Sequence, residues 1–235
     1  MLDIKVTEEW RRAFPGAYMG LLEVSGVDNT PRPSALDAEK RAVEERLRQR
    51  YAGYTRADFL ALPIVAAYWS YYKRFSKTYH VLLQVESVVL KGKSLPDVSP
   101  LVDANFTAEL DTLALTAGHD VAKLVPPVVI DVTRDGETFT QMGGALKTLR
   151  AGDMVMRDET GVTCTIIYGQ DDQSPISPAT THALYVVYAP AGVDAAAVQA
   201  QLDGIERNIA LFAPGYRREQ SRILGGSQQG AAAVG

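Results

Sequence analysis

Residues 71–120 read YYKRFSKTYHVLLQVESVVLKGKSLPDVSPLVDANFTAELDTLALTAGHD, a run in which polar groups recur in an order that an ordinary hydrophobic core does not require. Ser99-Pro100 supplies an N-cap and a first helical position, and predicts a helix through about residue 115 with Val102, Phe106, Leu110 and Leu113 along one apolar face. Asn105 and Glu109 stand four apart and so share a face one turn from each other. An amide is a poor choice inside a helix, which marks Asn105 as a side chain with a task. Upstream, residues 78–90 predict another helix, ended by Gly92. The cations Lys73, Arg74, Lys77, Lys91 and Lys93 face only Glu86 across this segment, as either a solvated helix face or a phosphate-facing patch.

Toward the N-terminus, residues 17–24 form an apolar run of strand length, followed by turn chemistry from Val27 to Pro31. Ser34 with Asp37 resembles a capping box, and Leu36, Val43 and Leu47 form a narrow apolar stripe whose remaining positions are expected to face water. Thr55 with Asp58 starts a second helix, carried through Phe59, Leu62, Ala66 and Trp69 despite Pro63. Its aromatic end, Tyr68, Trp69, Tyr71 and Tyr72, suits packing, with stacking of a terminal adenine as the alternative.

Beyond Pro126-Pro127 the pattern changes to short apolar runs at 128–132, 138–142, 154–157, 162–168 and 183–188, a sheet-building half with a hairpin connection at 157–161. Asp194 caps a closing helix on which Val198, Leu202, Ile205 and Ile209 repeat, and that helix should lie across the sheet. Helices, then antiparallel strands, then a helix indicate the α+β class.

The chain has 235 residues, 46% of them hydrophobic, enough for one substantial core. No window approaches the roughly 18 apolar residues of a membrane span, and the N-terminus lacks the order of a secretory signal, so a cytoplasmic protein without a membrane partner is expected. Cys164, the single cysteine, alternates with apolar strand residues and reads as a packed thiol. The histidines His80, His119 and His182 lack metal-ligand spacing, so neither metal nor cofactor is expected. GxSxG, GxxxxGKS and GxGxxG motifs are missing, which removes the commonest hydrolase, NTPase and dinucleotide readings. The net charge of −4 argues against bulk electrostatic binding of nucleic acid.

The turn KGKSLP at 91–96, the LVD signature from Leu101 to Asp103 with Asn105 behind it, and His119-Asp120 closing the next segment resemble, in that order, the B3/B4 domain. This is the amino-acid-editing module of the phenylalanyl-tRNA synthetase β subunit, which also occurs in short free-standing proteins. Gly136-Glu137, Gly143-Gly144 and the Gly152 to Asp158 hairpin entry continue the pattern, so the similarity covers roughly residues 71–190. The chain is similar to the free-standing proteins, and no aminoacylation activity is expected.

The resemblance implies a β-sandwich-like core of mixed strands flanked by helices. It divides the chain into an N-terminal strand and helical extension packed on the core (1–70), a B3/B4-like domain (71–215) and a mobile tail (216–235). It also implies hydrolysis of the ester joining a wrong amino acid to the end of a tRNA, a reaction that needs a placed water and a polarised carbonyl rather than a protein nucleophile. Asn105 and His119 would be the catalytic groups, His119 reading equally as a loop histidine that bonds backbone. Glu109, Gly143, Gly144, Tyr168 and Thr181 would bind substrate, although an ion pair for Glu109, a tight turn for the two glycines and strand-entry hydroxyls for Thr180 and Thr181 explain those residues as well. Lys73, Arg74, Lys77, Lys91 and Lys93 would hold the acceptor-end phosphates of an aminoacylated tRNA. Where the synthetase module carries a pocket glutamate, this sequence has Val187, which argues against reading a tyrosine hydroxyl. A non-catalytic tRNA- or RNA-binding module and a protein that binds a free amino acid are the alternatives.

Overall fold

In the computed structural model, which describes residues 1–30 and 33–225, helices dominate up to residue 112 and strands thereafter. The order is β1 (Ile4–Val6), α1 (Glu8–Ala13), β2 (Tyr18–Ser25), α2 (Ser34–Arg50), α3 (Arg56–Ala61), α4 (Pro63–Lys73), α5 (His80–Val89), α6 (Pro100–Thr112), β3 (Thr116–Asp120) and β4 (Val128–Val132). There follow β5 (Thr138–Gln141), β6 (Ala145–Thr148), β7 (Met154–Asp158), β8 (Gly161–Thr165), β9 (Gly169–Gln170), β10 (His182–Ala189), α7 (Ala195–Ala210) and β11 (Arg217–Gly225). The class is α+β, as the sequence pattern indicates.

Two main sheets build the core. One runs β11-β2-β10-β3 and is antiparallel throughout; the other runs β1-β4-β7-β8-β9, with β1 and β4 parallel and the rest antiparallel. β5 and β6 form a separate hairpin. β10, ALYVVYA from residue 183, is apolar at every position because it is covered on both faces, and none of those residues is more than 1% exposed. α7 lies across this sheet at Gly20, where a Cβ would come within 2.5 Å of Val198 and 3.1 Å of Val187. Glycine is therefore what lets the helix approach.

The N-terminal residues are not an extension laid on a finished core. β2 pairs with β10 along its whole length and sits between it and β11, so it is a central strand. The tail reading fails for residues 217–225, which form β11 and tie back to the N-terminus through Gln220 Nε2 to the Leu2 carbonyl (2.9 Å) and Arg222 to the Ile4 carbonyl (3.1 Å). Residues 226–235, and Pro31 of the predicted turn, lie outside the described residues.

Local signals worked where they were local. Thr55 and Asp58 form the capping box expected of them. Pro63, however, opens α4 at its first position, so the single predicted helix is two. The Ser34-Asp37 box does not form; Pro33 occupies the N-cap. α2 buries Leu36, Val43 and Leu47, but also Lys40 and Glu44, which the stripe assigned to water. Lys40 donates to the Pro96 carbonyl (2.5 Å), Asp97 (2.8 Å) and Asp103 (3.1 Å), while Glu44 accepts from the Leu95 N–H (2.8 Å). These bonds hold the loop before α6. The aromatic end of α4 is packing: Tyr68 and Tyr79 stack at 4.4 Å, and the Tyr71 hydroxyl donates to Asp153 (2.7 Å).

Candidate functional site

β3 is the last strand of its sheet, paired with β10 along one side, while on the other its far end is held by the His119–Pro175 bridge and by the Asp120 N–H to the Ser174 carbonyl (2.8 Å). The rest of that edge opens on a cavity of about 400 Å³. Leu115, Cys164, Ile166 and Tyr188 line its deep end, and each is at most 6% exposed. The middle is walled by Asn105 and Phe106 of α6, Thr116 and Gly118 of β3, Thr165 of β8 and Gln170 of β9. His80, Val98 and Met142 form the mouth, the last two 58% and 61% exposed. The size and the mostly apolar wall with a few polar groups are those of a small-molecule site.

Alternate residues of β3 turn their backbone groups away from β10. Asn105 and Glu109 use this edge together: Asn105 Nδ2 donates to the Thr116 carbonyl (3.4 Å), and the Glu109 carboxyl accepts the Thr116 N–H (2.8 Å). The i,i+4 pair thus stitches α6 to the first residue of β3. Asn105 also accepts from Gln201 of α7 (3.2 Å) and lines the cavity. Glu109 stands behind the wall, and burial pushes its carboxyl up to about 8, so it enters the fold protonated at neutral pH. It is a buried tie, not a contact for a substrate ammonium.

His119 is also set back from the cavity. It is fully buried, with Nδ1 2.8 Å from the Ser174 hydroxyl and 3.0 Å from Gln170 Nε2; Nε2 has no partner. Burial holds its pKa down at about 3, so the ring is neutral and reaches the wall only through Gln170, which also donates to the Gly118 carbonyl (2.9 Å). Asp120, beside it, accepts from the Thr180 hydroxyl (2.8 Å) and the Ala122 N–H (3.1 Å).

The remaining expected contacts scatter. Gly143 and Gly144 take positive φ (97° and 84°) in the β5–β6 turn, with open space around them, so the tight turn explains them; only the neighbouring Met142 reaches the mouth. Tyr168 is half-buried outside the wall, and its carbonyl accepts from Gln141. Thr181 is exposed, its carbonyl bonded to the Val27 N–H. Val187 faces Gly20, on the α7 side of β10, so its apolarity says nothing about recognition in the cavity; Tyr188, on the opposite face, lines the deep end.

Three wall residues escaped the sequence reading. His80 bonds the Tyr72 hydroxyl through Nδ1 (3.2 Å), desolvation lowers its pKa below the ordinary imidazole value, and the residue lines the mouth. Gln170 lies on a two-residue strand that leaves no pattern. Gly118 had a signal, a glycine inside a strand, and its Cβ would come within 2.8 Å of Ile176 and 3.2 Å of the Tyr185 ring.

The cations divide between the two ends of α5, a helix of ten residues and about 15 Å. Lys73, Arg74 and Lys77 precede it on the His80 side, and Lys77 lies 6.0 Å from the Tyr168 ring; Lys91 and Lys93 follow its far end. Arg74 is occupied by the Gly152 carbonyl (3.2 Å) and the Tyr71 and Phe75 rings. Carboxylates of Asp37, Asp97 and Asp103 approach within 4.8 Å of one another, but the Lys40 ammonium bonds two of them, so the group is an ion-pair cluster.

Among the described residues, no helix is long and apolar enough to cross a membrane. No curated protein matches the chain. A solved N-terminal fragment of the phenylalanyl-tRNA synthetase β subunit from Pyrococcus horikoshii is similar at 10% identity and a TM-score of 0.49, over 94% of this chain and 50% of that one. The chain thus spans about half the length of that fragment. The model of the family described as the B3/4 domain matches residues 66–208, more than half of the sequence and the whole of α5, α6 and β3 through β10 that enclose the cavity, and the chain belongs to that family.

Proposed function

We propose that this B3/4 protein hydrolyses the ester of misacylated tRNA in trans, as a cytoplasmic enzyme working without metal or cofactor. The observation that carries the reading is the cavity beside β3, apolar at its deep end, polar along its middle, with His80 at its mouth and Lys77, three residues before His80, 6.0 Å from the Tyr168 ring. In this reading the amino-acid side chain enters the deep end and the ester lies along β3. The parity of that edge puts the Gly118 N–H on the cavity side, where it can polarise an ester carbonyl beside Thr165 and Asn105. His80, neutral at pH 7 and held by Tyr72, accepts a proton from the attacking water. His119 acts at one remove, by fixing Gln170.

Incubation with a panel of mischarged tRNAs, following release of the amino acid, tests this. Wild type should deacylate at least one of them, His80→Asn should lower kcat about 100-fold, and Lys73→Ala with Lys77→Ala should raise KM and flatten its salt dependence. Turnover of none of the panel, or full activity in His80→Asn, refutes the assignment. The apolar lining, to which no carboxylate or ammonium contributes, favours as second reading a protein that binds a small ligand without nucleic acid. A gel shift with uncharged tRNA separates the two.

A further inference from the structure

We propose that Arg74 and Arg150 form a clamp for an RNA backbone phosphate, so that an RNA whose 3′ end enters the cavity leaves it over the end of α4 and the loop between β6 and β7. The inference rests on the RNA reading above and deepens it by choosing between the two groups of cations: the strand does not run along α5 to Lys91 and Lys93.

The first group sits on a turn that is tied down. Past α4 the chain folds back at once, with the Ser76 N–H donating to the Lys73 carbonyl (3.0 Å), the Lys77 N–H to the Tyr72 carbonyl (3.1 Å), and Ser76 in left-handed backbone at φ 57°. Lys73, Arg74 and Lys77 are exposed on this turn, directly before His80. Lys77 lies 6.0 Å from the Tyr168 ring, and the Tyr168 N–H is held by Thr165 of the cavity wall (2.8 Å). The turn is thus continuous with the mouth.

Arg150 reaches the same turn from the β6–β7 loop. Its guanidinium carbon lies 5.6 Å from the centre of the Phe75 ring, and that of Arg74 lies 5.5 Å from the same centre. The two charges are therefore no more than about 11 Å apart, about one Debye length at 0.1 M salt, and their repulsion is only partly screened. One guanidinium suffices to cover a ring that is already buried, whereas a second adds a like charge. Among the described residues no carboxylate pairs with Lys73, Arg74, Lys77 or Arg150, although Arg56, Arg134 and Arg157 each hold one. Arg74 gives one N–H to the Gly152 carbonyl (3.2 Å) and the Arg150 side chain gives none, so most of their donors are unused. The backbone N–H groups of Arg150 and Ala151 are unbonded as well. A phosphate oxygen pair matches the guanidinium fork, accepts these donors and relieves the repulsion.

The far end of α5 is built differently. Arg48 donates to the Lys93 carbonyl (3.1 Å) and is itself paired with Glu44 (3.5 Å) and Glu45 (3.8 Å), so carboxylates stand beside Lys93 and weaken its pull on a polyanion.

The probe is an uncharged RNA minihelix ending in CCA, with binding followed by fluorescence anisotropy from about 50 to 200 mM KCl. Arg74→Gln with Arg150→Gln should weaken binding about tenfold at about 0.1 M salt and lower the slope of log Kd against log salt by about 1.5–2. Lys91→Gln with Lys93→Gln, which removes the same charge, should stay within about twofold of wild type. The proposal is overturned if the two double variants weaken binding alike, or if R74Q/R150Q leaves the slope unchanged. It is also overturned if a hexaglutamate peptide binds as tightly as the minihelix through the same two arginines, which would make the partner an acidic protein. Should the double variant fail to fold, Arg150→Gln alone decides, because that side chain bonds nothing; the slope should fall by about one. Wild type that binds no minihelix sinks the RNA reading and this inference with it. Binding that ignores both arginines sinks this inference alone, and binding through them by a protein that deacylates nothing sinks only the hydrolase reading.

Discussion

Replacing Glu109 with glutamine should stabilise the protein relative to wild type by an amount that grows with pH. The folded carboxyl titrates near 8 and the exposed one near 4.5. Between those values the folded state keeps a proton that the unfolded chain releases, so the contribution of this group is complete below pH 4.5 and is lost as pH rises toward 8. Linkage puts the loss at roughly 1 kcal/mol at pH 5, about 3 at pH 7 and about 4 at pH 8. Glutamine retains an acceptor for the Thr116 N–H and cannot ionise. Its extra donor adds an offset that does not vary with pH, so the slope of the difference is the quantity to read. Tyr68, Tyr72 and Tyr79, the tyrosines that feel its charge, are held neutral by burial throughout this range. Urea unfolding of both proteins at pH 5, 6, 7 and 8 supplies the difference. A flat difference would mean that the carboxylate is hydrated or paired in the folded chain, and the assignment of Glu109 as a buried tie behind the wall would be refuted.

The His119 ring, neutral in the fold with its pKa near 3, supports stability above pH 6.5 and loses it as pH falls toward 3. His119→Asn should therefore remove up to about 1.4 kcal/mol per pH unit of acid sensitivity between pH 6.5 and 4, seen in urea midpoints. Lys40→Met strands the Asp103 carboxylate, which is 6% exposed, and should cost about 3–5 kcal/mol; Lys40→Met with Asp103→Leu should recover most of it, and a chemical denaturation cycle checks both. Gly118→Ala places a Cβ within 2.8 Å of Ile176, so it should cost about 1–3 kcal/mol in urea unfolding, whereas an unchanged midpoint would show that Ile176 yields freely.

Sequence pattern served best where the signal was short in range. The helix start at Ser99-Pro100, where Ser99 takes the N-cap position without a side-chain capping bond, the box at Thr55 and Asp58, the Asp194 cap and the apolar runs of β4, β7 and β10 are all written in neighbouring residues, and all these elements form. What failed depended on distant partners. Lys40 and Glu44 look solvent-facing until the loop from Leu95 to Asp97 is brought over them. β11, polar along RREQS, reads as tail because an edge strand needs little apolar surface once β2 offers a ladder. The candidate site divides the same way: Asn105 was found because an amide inside a helix is locally odd, but Glu109 and His119 are as buried as they are polar, and sequence cannot tell a polar group that ties the scaffold from one that faces a ligand. Gln170 and His80 acquire meaning only when β9 and α5 meet β3.

The placement of β2 bears on how this protein can be cut. The family match starts at residue 66 and stops at 208, yet β10 takes eight of its residue pairs from β2. A fragment trimmed to the matched limits would bare one side of an eight-residue strand with seven consecutive apolar residues, a ready template for sticking to its own copies. Insolubility of such a piece would reflect the missing ladder rather than any defect of the cavity, and expression trials should keep residues 1–225 together.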